Sequence, residues 1–180
     1  MLTPTQSLFA IVSSRRSEFG PSFVDCLVRL LDCAEILAIP VIAAHYSDNL
    51  EDGPPQTPLK IRHLPLAIPI EPDAAVWRET SLASAIHATS RRQLLVAGLW
   101  LEEAVSLLAH HAIRVGLDVY VCIDACPALR PDQTQVIQSR LLQHGVVVTT
   151  TEQALREWVA LASSERKAEA QRVLSKSASN

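Results

Sequence analysis

Aromatic residues are scarce in this sequence, metal-ligand clusters are missing, and no surplus of positive charge is present. Only 4% of the 180 residues are aromatic, so the core must be built mainly from Leu, Val, Ala and Ile. The 48% share of hydrophobic residues nevertheless excludes a disordered chain. The cysteines Cys26, Cys33, Cys122 and Cys126 form no C-x-x-C pair, which argues against structural zinc. They read as free thiols, with Cys26 and Cys33 spaced so that both can face the core and Cys122 inside a strand. No apolar run reaches the roughly 20 residues of a membrane-spanning helix. The N-terminus lacks the charged, apolar and small-residue zones of a secretory signal. The expectation is a cytoplasmic protein without a membrane partner. A net charge of −3 and a pI near 6.1 argue against nucleic acid as a partner, because a phosphate footprint needs a basic surface. No G-x-G-x-x-G follows the first apolar run, so a dinucleotide site has no support. Neither a cofactor nor a metal is expected.

What is present is an alternation of two periodicities. Leu8–Val12, Pro40–Ala44, Leu66–Ile70, Gln93–Ala97, Asp118–Ile123 and Val146–Thr149 read as strands. Between them lie helical patterns over Phe23–Leu37, Thr80–Thr89, Glu102–Val115 and Pro131–His144, and a last one over Glu152–Ala162. Pro21 suits a first helical turn. Gly116 and Gly145 end their helices. The segment 46–65, with Pro54, Pro55, Pro58, Asp52 and Gly53, reads as a loop. Strands that are apolar on both sides, separated by helices, imply a mainly parallel sheet covered on both faces. The fold class is therefore α/β, a three-layer α/β/α sandwich with six strands. Residues 1–162 form one domain, and the charged, then Ser-rich segment 163–180 reads as a fraying tail.

The turn after the fourth strand is the most informative point. In α/β proteins ligands and nucleophiles sit at the carboxyl ends of strands. Here Gly98 ends the strand, Leu99, Trp100 and Leu101 follow, and Glu102 opens a helix. One turn in, where a nucleophile would stand, is Ala104, whose methyl group can neither attack nor carry a proton.

Gly98, Glu102, Ala104 and Val105, followed by Ala109, Ala112, Gly116, Val119, Val121, Asp124 and Ala125, resemble the isochorismatase-like cysteine hydrolases. That group includes nicotinamidases and carbamoylsarcosine amidohydrolases. Ala75–Leu82 and Leu141–Trp158 also resemble the family's segments. The resemblance implies the strand order 3-2-1-4-5-6 and a cis peptide between Leu99 and Trp100. It implies homo-oligomers, dimers or larger. It also implies an Asp–Lys–Cys triad, in which a carboxylate takes the thiol proton and a cation helps hold the thiolate. Every triad position is altered in this chain. The cysteine position is Ala104, the aspartate position falls on Ser13 or Ser14, and the lysine position falls at Glu71 or a neighbour. The expectation is a hydrolase-family protein without the family's chemistry, working by binding or assembly.

An active hydrolase of small amides or esters, with Cys126 or the Ser13/Ser14 hydroxyl as nucleophile, is the alternative. Trp77, Leu99, Trp100, Leu101, Glu102, Asp124 and Cys126 are the expected pocket residues, and a small molecule is a possible ligand. Trp100 either fills the former substrate cavity or meets another subunit. His45, at the end of the second strand, reads as a loop-packing residue and not a metal ligand, even with Asp48 nearby. Arg15 and Arg16 read as a solvated loop. His110 and His111 diverge by about 100° on a helix, so they do not form one site. The apolar surface of Glu102–Val115 exceeds a single stripe, which favours burial against another subunit.

Overall fold

In Leu94–Ala97 every residue is apolar and every one is fully buried, which is how a strand covered on both faces should read. This strand is β4 (Gln93–Gly98). It stands at the centre of a six-stranded sheet with β1 (Ser7–Ser13), β2 (Val41–His45), β3 (Ile68–Pro69), β5 (Asp118–Cys122) and β6 (Val147–Thr149). The order is β3-β2-β1-β4-β5-β6, and every strand pair is parallel. Both features are those expected. The structure, a computed structural model, describes residues 1–13, 20–45, 65, 67–70 and 80–175. Ser14, Arg15, Arg16, Asp48, Glu71 and Trp77 lie outside the described residues, as does Leu66 at the start of the expected third strand.

The helices are α1 (Pro21–Ile36), α2 (Ser81–Ala88), α3 (Ser106–Arg114), α4 (Thr134–Gln143), α5 (Thr151–Ala160) and α6 (Ser164–Ser175). Thr80 caps α2 by accepting from the Ala83 N–H at 3.1 Å, and Thr150 caps α5 through Gln153 N–H at 3.2 Å. The core follows the composition. Trp158 stands edge-on to Phe9 at 6.4 Å. The Trp158 indole, fully buried, donates to Ser7 Oγ at 2.9 Å.

Some expected elements differ. β3 is only two residues long, at the sheet edge, where Pro69 has no N–H for a ladder. The helix expected to run unbroken from Glu102 begins instead as a wide turn, Leu101–Val105, with a kink at Glu103. Ser106 is bonded across this turn. Its Oγ donates to the Leu101 carbonyl, while the Val105 N–H reaches back to Trp100 O at 3.3 Å. The expected fraying from Ser163 gives way to α6, which packs on α1 and α5. The charged composition hid two anchors three residues apart, Ala170 and Val173, both buried. Cys33 faces the core as expected, whereas Cys26 is only partly covered.

The apolar surface of α3 is largely covered within the chain. Leu108, Ala109 and Ala112 are buried, and of this helix's apolar residues only Val115, at its C-cap, is exposed. β5 and α4 lie against this helix, so its apolar surface does not require the expected second subunit. Among the described residues, no helix is long and apolar enough to cross a membrane.

Candidate functional site

β1 and β4 bring the two expected halves of the site together. Val12 pairs with Gly98 across the ladder, and the Leu99 N–H donates to Val12 O at 2.9 Å. Gly98 has a φ of +125°, open to glycine and rarely to other residues. The chain then crosses a cis peptide between Leu99 and Trp100, as the resemblance implied. The turn is tied to the loop after β5. Leu101 N–H donates to Pro127 O at 3.1 Å, and Glu102 Oε1 accepts from the Arg130 N–H at 2.7 Å.

Ala104 is 1% exposed, and Leu99, Trp100 and Leu101 are buried with it. Three of the expected pocket positions and the expected nucleophile position are thus apolar and buried. The Trp100 indole N–H is buried there with no hydrogen-bond partner among the described residues. Ser13, at the end of β1, is level with His45 of β2. Its hydroxyl donates to the Ala44 carbonyl at 3.1 Å. A serine held this way differs from an activated nucleophile, whose hydroxyl proton is given to a neighbouring base.

Cys126 and Asp124 each have defined partners at the carboxyl end of β5. The Cys126 thiol is buried and points at Val96 O, 3.9 Å away. Burial pushes it far above the ordinary thiol range, against the N–H of Gly98, which acts in the opposite sense. The reactive form of cysteine is the thiolate, so this position suits packing and not attack. Asp124 caps α5 from outside the helix. Its Oδ1 accepts from Thr151 N–H at 2.8 Å and Thr151 Oγ1 at 3.0 Å, and from the Cys122 thiol at 3.3 Å. A carboxylate at a helix N-terminus is favoured by the free N–H groups and the dipole there. Its Oδ2 lies 3.9 Å from the Cys26 thiol, on the α1 side of the sheet edge.

The sequence reading missed a cleft of about 420 Å³ between α3 and α4, lined by Glu102, Glu103, Ser106, Leu107, His110, Ile137 and Arg140. None of Trp100, Ala104 or Asp124 lines it. A signal for it exists in the sequence, because Glu103, Ser106, Leu107 and His110 fall at i, i+3, i+4 and i+7 and share a helix face. The His110 ring is fixed by Nδ1 bonding to Ser106 O at 2.6 Å and stands edge-to-face with His144 at 4.6 Å. Burial lowers its pKa. His111 is buried, so the two neighbours diverge as expected. Among the described residues, no group of three or more His, Cys, Asp or Glu could hold a metal.

Comparison with known proteins matches residues 5–153 to the isochorismatase domain. The chain is 27% identical over 129 residues to the probable hydrolase YcaC of Escherichia coli K12. That match takes in 71% of this chain and 62% of the relative, so the chain spans less than two thirds of that protein's length. Among solved structures, the Escherichia coli YcaC gene product, described as an octameric hydrolase of unknown specificity, superposes with a TM-score of 0.71. It is 21% identical, with 98% of this chain and 96% of that one covered. The MAR1 ribonuclease of Caenorhabditis elegans superposes with a TM-score of 0.73 at 18% identity, covering 99% of this chain and 94% of that one. At these identities the structural likeness establishes the fold.

Proposed function

Given that this chain belongs to the isochorismatase family, we propose that it is a member without the family's thiol chemistry and acts by binding or assembly. One observation carries the reading. The side chain at the nucleophile position is the buried methyl group of Ala104. A methyl group offers no lone pair to a carbonyl carbon and no proton to a leaving group. The surroundings agree with this. Leu99, Trp100 and Leu101 are buried as Ala104 is, Ser13 is engaged with the backbone of β2, and Cys126 is held protonated by burial. Assembly as a homo-oligomer in the cytoplasm, with neither nucleic acid nor a membrane as partner, belongs to the same reading. The octameric description of the YcaC structure supports the oligomer.

The test is an activity panel on the purified protein, with nicotinamide-like amides, carbamoyl compounds and small esters. No thiol-dependent hydrolysis is expected. Ala104→Cys alone should not restore it, since the serine at 13 or 14 supplies no carboxylate base and the glutamate at 71 no cation. Rescue to family-like rates by that single substitution would overturn the reading. Light scattering should report a mass above the 19.7 kDa of one chain.

A further inference from the structure

At the opposite end of the sheet, where β4 and β5 begin, a second and larger cleft of about 740 Å³ opens between the C-terminal ends of α2 and α3. Its size falls in the range of small-molecule sites, about 300–1,000 Å³. Ala83, Ile86, Val115 and Leu117 supply apolar lining, and His87, Arg91 and Arg92 supply the polar side. No carboxylate lines it. The Arg91 and Arg92 guanidiniums have no hydrogen-bond or ion-pair partner among the described residues. Asp118, whose N–H donates to Arg92 O at 2.9 Å, forms an ion pair with neither guanidinium.

Two helix C-termini border the cleft, and by their dipoles they would favour a cation. Their last carbonyls are already occupied. Ile86 O accepts from Thr89 N–H and Thr89 Oγ1, and His87 O from Ser90 N–H. Ala112 O accepts from Val115 and Leu117 N–H, and Ile113 O from Gly116 N–H. The backbone donors are also used. Arg91 N–H reaches Thr89 Oγ1, and Arg92 N–H reaches Gln6 O. Among the described residues the Arg91 and Arg92 guanidiniums are unpaired cations, donors with a fork matched to a planar oxyanion. An apolar wall facing two unpaired guanidiniums recognises a molecule that carries both features.

We propose that this cleft is a binding site for a small amphipathic organic anion, a carboxylate on an aliphatic or aromatic body. The carboxylate sits on Arg91 and Arg92, and the body lies along Ile86, Val115 and Leu117. The site is separate from the turn at Ala104 and does not depend on whether that turn retains chemistry.

Isothermal titration calorimetry of the full chain with octanoate and, separately, octylamine tests this. Octanoate should bind saturably at one per chain, and octylamine at least tenfold more weakly. Arg91→Gln combined with Arg92→Gln should weaken octanoate at least tenfold. Val115→Asp, at an exposed wall position, should do the same by adding a negative charge. Arg140→Gln, in the other cleft, should change nothing. Circular dichroism of each variant should match the parent. Absence of saturable octanoate binding, equal binding of octylamine, or unchanged octanoate affinity in the folded double variant would each overturn the proposal.

Discussion

A methyl group added to Gly98 would lie 2.0 Å from the carbonyl oxygen of Val12. That oxygen already accepts the Leu99 N–H at 2.9 Å, so the two central strands are in close backbone contact where the chain turns toward the site. Neither strand can retreat, because Val12 is also held by β2 on its other side. Gly98→Ala adds this clash to a φ of +125° that alanine rarely adopts. Its cost should exceed about 4 kcal/mol, the range reserved for severe core damage. Urea denaturation followed by circular dichroism measures it; a loss below about 1 kcal/mol would show that β1 and β4 can separate here.

Arg29 on α1 is buried and meets Glu152 on α5 at 3.0 Å, while Arg156 reaches the other carboxylate oxygen at 2.7 Å. Burial raises the Glu152 pKa, but the hydrogen bonds from Arg29 and Arg156 outweigh it, and the net shift is downward. A carboxyl group depressed in the folded state contributes stability above its unfolded pKa, and this is lost as pH falls through the folded value. The carboxylate is part-exposed, which weakens the pair; leaving Arg29 buried without its partner adds about 1–2 kcal/mol. Glu152→Gln should therefore lower the melting temperature at pH 7, with the gap closing below pH 4. An undiminished gap at pH 3 would refute the electrostatic origin.

His110 shows the opposite chemistry. Burial lowers its pKa below the ordinary 6.5, against the hydrogen bond to Ser106 O, which acts to raise it. The unfolded chain then takes up a proton more readily than the folded one, so stability falls as pH drops below about 6.5. His110→Gln should flatten the stability profile between pH 7 and pH 5 relative to the parent. Parallel profiles would mean that the ring does not titrate in this window.

The four thiols should separate by reactivity. Burial pushes Cys33 up to about 12 and raises Cys122 and Cys126 well above the usual range. Cys26 is partly exposed and raised less, by burial above all. Labelling with an aromatic disulfide at pH 8 should modify one thiol per native chain and four after unfolding. Cys26→Ser should abolish the native reaction. Rapid native labelling of Cys126 would revive it as a candidate nucleophile.

Much of this protein was legible in the sequence because the signals were local. Runs such as Leu94–Ala97 and the spacing of Phe23, Leu27, Leu30 and Ala34 report burial on the two faces of a strand or the stripe of a helix. Gly98 and Gly116 mark backbone that other residues adopt at a cost, and Ala104 states its lack of chemistry by its identity alone. Partnerships between distant residues were not legible. Asp124 is tied to Thr151, 27 positions on, through two hydrogen bonds, and that decides that it caps a helix. Cys126 is buried against Val96 of β4, and that decides that its thiol stays protonated. Both clefts arise between helices far apart in sequence, α3 with α4 and α2 with α3. Periodicity says which face of an element turns inward; which residue meets it there, and how much water is left between, is set by the packing of the whole chain.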